Sequence, residues 1–186
     1  MRVIGGEHRG RRLSAPVGPG VRPTSDRVRE AVFDILFSLG GVDGLQVLDL
    51  FAGTGALGIE ALSRGAAAVT FVEQDRRTAQ AVRENLAAVG LADAESAGDA
   101  TVVVADARAW VRQTASRYDV ALCDPPYGFD AWDDLLAHLP ADLAVLESGT
   151  PPPPMPEGWE VLRSKRYGST IVTVAQPVGA DGKGGT

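Results

Sequence analysis

The chain has 186 residues, 45% of them hydrophobic and 23% charged, and a net charge of −6; this suits one domain with a real core and excludes disorder throughout. No apolar run approaches the roughly 20 residues that span a bilayer, and Met1 opens no charged-then-apolar leader. One cysteine, Cys123, and two distant histidines, His8 and His138, make neither an intrachain disulfide nor a metal cluster, so a cytoplasmic, metal-free protein is expected.

Residues 1–22 read as a basic arm. Arg2–Gly6 and Gly10–Leu13 are two short limbs around glycines, the pattern of a small hairpin. Residues 1–30 hold seven arginines (Arg2, Arg9, Arg11, Arg12, Arg22, Arg27, Arg29) against Glu7, Asp26 and Glu30. That surplus of four leaves −10 on the remainder. Guanidinium forks suit phosphate contacts; the other reading is a solvated flank. Pro16, Gly18, Pro19, Gly20 and Pro23 make a linker. Thr24 or Ser25 can cap the helix that follows. Val28, Ala31, Val32, Ile35, Leu36 and Leu39 lie on one helical face, and Gly40-Gly41 stops it.

From Gln46 the pattern is strand, loop, helix, repeated. Strands are predicted at Val47–Leu50, Val69–Val72, Thr101–Val104, Tyr118–Cys123 and Leu143–Leu146. Helices are predicted over Ala56–Arg64, Asp75–Val89 and Ala131–Leu139, the second with Ala79, Val82, Leu86 and Val89 inward. Nearly continuous apolar strands between amphipathic helices specify an α/β fold, a mostly parallel sheet with helices on both faces. After the run Pro151–Pro154, Trp159–Arg163 and Thr170–Ala175 read as two more strands joined near Tyr167-Gly168. With no helix between them they must pair antiparallel. The domain is expected to span 23–176, with the chain frayed from Gln176 and a flexible tail over 177–186.

Asp49-Leu50-Phe51-Ala52-Gly53-Thr54-Gly55-Ala56-Leu57-Gly58 leaves the first strand and enters a helix. Gly53 and Gly55 allow positive φ and close approach of backbone to a ligand, and Gly58 allows tight helix–strand packing. Glu73 stands 20 residues after Gly53, where an acid would hold ribose hydroxyls. This points to a nucleoside-bearing cofactor without choosing between a dinucleotide and S-adenosylmethionine. Asp106 follows the third strand and either contacts an adenine amine or caps a helix from Ala107.

Asp124-Pro125-Pro126-Tyr127 ends the fourth strand at the sheet's carboxyl edge, where open α/β folds bind ligands. The prolines remove two amide donors, which leaves carbonyl acceptors beside the Asp124 carboxylate. Tyr127 adds a flat aromatic face. Acceptors for an NH₂ group beside a stacking platform suit an exocyclic base amine, whose lone pair they would orient towards a methyl donor. A nicotinamide enzyme would want an acid–base residue instead. The plain alternative is a strand-terminating Asp-Pro turn.

These two motifs together resemble a class I amino methyltransferase. With Val3-Ile4-Gly5-Gly6, Gly10-Arg11-Arg12-Leu13 and Arg22-Pro23-Thr24-Ser25-Asp26-Arg27-Val28-Arg29-Glu30-Ala31-Val32-Phe33, the chain resembles the RsmD family of 16S rRNA guanine-N2 methyltransferases. The resemblance runs from Arg2 to Ala175. It implies a Rossmann-like fold with a seven-stranded, mostly parallel sheet and a small N-terminal β-hairpin arm. It implies S-adenosylmethionine as cofactor and guanine 966 of 16S rRNA as target, in the assembled or assembling small ribosomal subunit. By position, Asp49, Phe51, Ala52, Gly53, Thr54 and Gly55 would line the methionine side of the cofactor. Glu73 and Gln74 would hold its ribose, and Asp106 and Ala107 its adenine. Thr24 and the segment to Phe33 would cover its amino-acid end. Asp124, Pro125, Pro126 and Tyr127 would hold the guanine. Arg9, Arg11, Arg12 and Arg22 would grip rRNA phosphates, and Lys165 and Arg166 would extend that grip or form a solvated tip. No metal and no membrane contact is expected, and the protein would act as a monomer.

The same tetrapeptide suits the amine of adenine or cytosine in DNA, although 186 residues leave no room for a large target-recognition domain. A more remote alternative is an NAD-dependent dehydrogenase, which rests on the glycines and Glu73 alone.

Overall fold

The computed structural model describes residues 1–14, 26–149 and 155–179. The elements run α1 (Asp26–Ser38), β1 (Gln46–Leu50), α2 (Ala56–Ser63), β2 (Ala68–Glu73), α3 (Arg76–Val89), α4 (Ala94–Ala97), β3 (Ala100–Val104), α5 (Ala107–Val111), β4 (Tyr118–Cys123), α6 (Trp132–His138), β5 (Ala141–Ser148), β6 (Trp159–Tyr167) and β7 (Thr170–Pro177). The strands form one sheet in the order β3-β2-β1-β4-β5-β7-β6. The first five run parallel, and β7 pairs antiparallel with both β5 and β6. This is the seven-stranded, mostly parallel sheet of the Rossmann-like class I methyltransferase fold.

Strand alternation divides the core in two. Val47, Val69, Leu122 and Val145 face α1, α2 and α3, while Leu48, Leu50, Cys123 and Leu146 face α5 and α6. Gly58 sets the distance between α2 and the sheet. A Cβ there would fall 2.3 Å from Phe71 Cε1 and 2.8 Å from Val69 Cγ1. Helix α3 buries Ala79, Val82, Leu86 and Val89 as predicted. Its first turn is capped by Asp75, which accepts the Thr78 N–H at 2.8 Å.

Several boundaries differ from the expected ones. Helix α1 buries Val28, Ala31, Val32, Ile35 and Leu36, but it ends at Ser38 and leaves Leu39 49% exposed. The Gly41 and Gly40 amides donate to the Leu36 and Phe37 carbonyls, so the chain turns away one residue before the periodicity does. Strand β5 is longer than Leu143–Leu146, and β6 continues past Arg163 to Tyr167, because pairing with β7 satisfies its amides. Gln176 and Pro177, expected to fray, pair with Glu160 and Trp159. Helix α4 is too short to show a period, and nothing in the pattern marked it.

The N-terminal hairpin is present and is docked on the body. Val3 donates to the Arg11 carbonyl at 3.0 Å, and Gly10 to the Val3 carbonyl at 2.9 Å. Val3 and Leu13 are buried. Glu60 of α2, wholly buried, accepts the amides of Ile4 and Gly5 at 2.8 and 2.7 Å. It also pairs with Arg64 at 2.8 Å and lies 3.6 Å from Arg29. Arg29 is therefore no part of a basic surface; its side chain is fully buried and donates to the Arg2 carbonyl and to Asp26.

Candidate functional site

The strand order reverses between β1 and β4, because β2 continues the sheet on one side and β5 on the other. The carboxyl ends of these two strands are where an open α/β sheet forms its crevice. The glycine loop leaves β1 here, and Asp124-Pro125-Pro126-Tyr127 leaves β4 here. Two adjoining cavities open at this edge, of about 690 and 300 Å³. Asp124 to Tyr127 line both, so the tetrapeptide is their common wall.

The larger cavity is built on the loop after β1. Phe51, Gly53 and Gly55 all take positive φ, at 60°, 56° and 79°. Phe51 is the non-glycine among them, and its ring meets Phe129 edge-on at 5.3 Å, with Phe129 in turn against Trp132 at 5.0 Å. The Gly53 amide donates to Glu73 Oε2 at 2.9 Å, and the Gly58 amide to Asp49 Oδ2 at 2.9 Å. Glu73 Oε1 accepts the Asp75 amide at 2.9 Å, so one carboxylate ties the loop to the end of β2. Asn85 of α3, fully buried, donates to the carbonyls of Thr54 and Ser14 and so joins the loop to the N-terminal segment.

Asp49, Phe51, Ala52, Gly53, Thr54, Glu73, Gln74, Asp106 and Ala107 all line this cavity. Gly55 does not. A Cβ on it would lie 2.9 Å from Val82 and 3.3 Å from Phe71, so this glycine serves turn and packing. Thr24, Arg22 and the linker prolines fall outside the described residues, as does the run at 151–154. Asp106 caps α5 through the Ala109 amide at 2.9 Å while standing on the cavity wall. Arg27 and Val28, from the segment expected over the cofactor's amino-acid end, line the smaller cavity instead.

The charge of the larger cavity is one-sided. Asp49, Glu73, Asp75, Asp106, Asp124 and Asp130 line it against Arg108. Burial pushes the Asp49 carboxyl well above the usual carboxylate range. The Gly58 amide opposes this, and the charges of Asp124 and Glu73 add to it. Burial likewise pushes the Cys123 thiol up, so it packs as a neutral side chain.

In the smaller cavity Tyr127 is 69% exposed. The turn that presents it is closed by the Phe129 amide on the Pro126 carbonyl at 3.2 Å, with Gly128 at φ 82°. The ring lies over Gly149, where a Cβ would come within 2.7 Å of it. Tyr167 and Gly168 of the β6–β7 turn also line this cavity, as do Glu147 and Ser148 at the end of β5. Lys165 Nζ lies 5.4 Å from the Tyr167 ring centroid. Lys165, Arg166, Arg9, Arg11 and Arg12 are exposed, and none lines either cavity. Met1 and Glu147 line the site and Asn85 supports its loop, although no motif marks them. Glu147 alone left a signal, as a charged residue directly after the apolar run Ala144-Val145-Leu146 at a carboxyl edge.

Residues 1–176 match the family described as "Conserved hypothetical protein 95". The chain is 37% identical to "Ribosomal RNA small subunit methyltransferase D" of Escherichia coli strain K12, over 95% of this chain and 89% of that protein. The chain belongs to the RsmD family. Its relative of the same description in Haemophilus influenzae is 34% identical over 90% of this chain and 89% of its own. The solved structure of the Escherichia coli protein yhhF superposes with a TM-score of 0.78 at 36% identity, covering 95% of this chain and 97% of that one. Membership of the RsmD family makes the chain a methyltransferase. Among the described residues no helix is long and apolar enough to cross a membrane.

Proposed function

We propose that this RsmD-family chain methylates the exocyclic N2 amine of a guanine in 16S rRNA, guanine 966, using S-adenosylmethionine, with the assembled or assembling small subunit as substrate. The observation that carries the reading is the pair of cavities with Asp124–Tyr127 as their common wall. One cavity is for a cofactor, the other for a base, and the wall between is made of hydrogen-bond acceptors.

The acidic lining of the larger cavity favours a cationic cofactor. S-adenosylmethionine supplies a methyl group on a positively charged sulfonium and carries an ammonium as well. A dinucleotide would bring an anionic pyrophosphate against six carboxylates, so the dehydrogenase reading is disfavoured. Glu73 stands at the end of β2 to accept from ribose hydroxyls, and Asp106 at the end of β3 stands near the adenine. Asp124 and the Pro125 carbonyl accept from the target amine and orient its lone pair towards the larger cavity. They also stabilise the positive charge that develops on nitrogen during transfer. Tyr127 offers its face to a base turned out of its stack. The exposed hairpin arginines and the Lys165–Arg166 edge grip rRNA phosphates.

Incubation of the purified protein with small ribosomal subunits and methyl-labelled S-adenosylmethionine tests this. Label is expected in 16S rRNA as a single N2-methylguanine, located by mass spectrometry of nuclease fragments. Label confined to DNA, or to adenine or cytosine, would replace the reading with its nearest rival.

A further inference from the structure

Glu147 and Ser148 line the smaller cavity, and each holds a buried oxygen that no described residue satisfies, Glu147 Oε1 and Ser148 Oγ. Native proteins leave few such atoms, and each calls for a reason. Glu147 is 4% exposed. Its position follows from the register of β4 and β5. Leu122 pairs with Val145 and Cys123 with Leu146, so Asp124 comes next beside Glu147. Leu122 and Val145 both pack on the side of α1 to α3. Two residues further on, Asp124 and Glu147 project to that same side from neighbouring strands. Two carboxyl groups therefore stand side by side at the edge of one cavity. Burial and the Asp124 charge raise the Glu147 pKa, and Arg29 opposes them. Arg29 donates through Nη2 to the Arg2 carbonyl and Asp26, and its Nε, buried without a hydrogen bond, lies 3.6 Å from Glu60.

We propose that Glu147 is a specificity-determining residue that accepts the ring N1–H of the base whose N2 amine is held by Asp124; this rests on the guanine-N2 reading above. On the edge of guanine the N1–H and one N2–H are parallel neighbouring donors. Acceptors from two adjacent strands match that pair. Adenine sets the lone pair of N1 beside its amine, and cytosine sets the lone pair of N3 beside its own. Either lone pair would face the ionised Glu147 carboxylate without a proton between them. The Asp124–Tyr127 wall suits any base amine, and Glu147 is what restricts it to guanine. Unlike a contact to a remote part of the RNA, this one reports the ring atom next to the reacting nitrogen.

The test uses reconstituted small subunits carrying either guanine or 2-aminopurine at the methylated position. 2-Aminopurine keeps the C2 amine and presents N1 as a lone pair. In single-turnover methylation at a pH where Glu147 is ionised, the wild-type protein should favour guanine by about ten- to a hundredfold, the worth of one hydrogen bond to a charged group. In Glu147→Ala the guanine rate should fall and the two rates should converge. Glu147→Gln keeps an acceptor oxygen and should retain most of the guanine rate, but its amide can also turn to donate to N1, so the preference should narrow. S-adenosylmethionine affinity should be unchanged in both variants, which verifies their folding. Should Glu147→Ala fail to fold, narrowing in Glu147→Gln decides the matter. Undiminished preference in a folded variant overturns the assignment and leaves the guanine reading standing. Failure of the wild-type protein to methylate guanine at all overturns both.

Discussion

Asp124 lies on the wall common to both cavities, and it is where the chemistry is most exposed to test. Replacing it by alanine removes an acceptor at the reacting nitrogen. Turnover should fall at least about a hundredfold, comparable to loss of one preorganised transition-state donor. Single-turnover methylation of small subunits measures this, and a near-normal rate from folded protein would sink the mechanism. Tyr127, lying over Gly149, contributes a face, so Tyr127→Phe should be mild. Tyr127→Ala should lose stacking worth about 1–3 kcal/mol, read as weaker substrate binding. Glu73 has a double duty, since its two oxygens already accept the amides of Gly53 and Asp75. Glu73→Ala should weaken S-adenosylmethionine binding by about 1.5–3 kcal/mol, part of it through a loosened loop. Glu73→Gln keeps an acceptor oxygen and should fall between. Calorimetry of the three proteins gives the order, and equal affinities would remove Glu73 from the ribose.

At the scale of elements, the N-terminal hairpin is a rigid platform. Its backbone is held by Glu60 and Ser63 of α2, while Arg9, Arg11 and Arg12 point to solvent. Arg11→Ala with Arg12→Ala should therefore spare the fold and cofactor affinity. It should flatten the salt dependence of RNA binding by roughly two units of log K per log salt, one for each phosphate that the arm no longer neutralises. An unchanged slope would make these arginines a solvated flank. The elements themselves were largely legible. Val47-Leu48-Asp49-Leu50 and Tyr118–Cys123 are apolar on both faces, and Ala79, Val82, Leu86 and Val89 repeat at helical spacing. These are local patterns and survive packing. What could not be read is fixed by partners distant in the chain. Arg29 counts as surface charge until Glu60, 31 residues away, is placed against it. Asn85 has no meaning until Thr54 and Ser14 arrive beside it. Glu147 becomes a neighbour of Asp124 only through the β4–β5 register.

Across the whole molecule, the sheet's carboxyl edge gathers acids from separate strands: Asp49 at β1, Glu73 at β2, Asp124 after β4 and Glu147 on β5. Burial raises Asp49 and Glu147 above the ordinary carboxylate value of about 4. Unfolding restores that value, so above it the folded protein binds more protons than the unfolded one. The stability these groups contribute is complete below about pH 4 and declines as pH rises through their raised values. A cationic cofactor reverses the balance, because it favours the ionised carboxyl beside it. Binding must then expel protons, and affinity for S-adenosylmethionine should strengthen as pH rises above the ordinary carboxylate value, for as long as the cofactor's α-amino group keeps its charge. Titration calorimetry at one pH in two buffers of different ionisation heat reads the proton count directly. We expect net release of a fraction of a proton or more, and less of it in Asp49→Asn. Binding heats that do not depend on the buffer would mean that the acids are already ionised. The edge would then attract the cofactor without any linked titration.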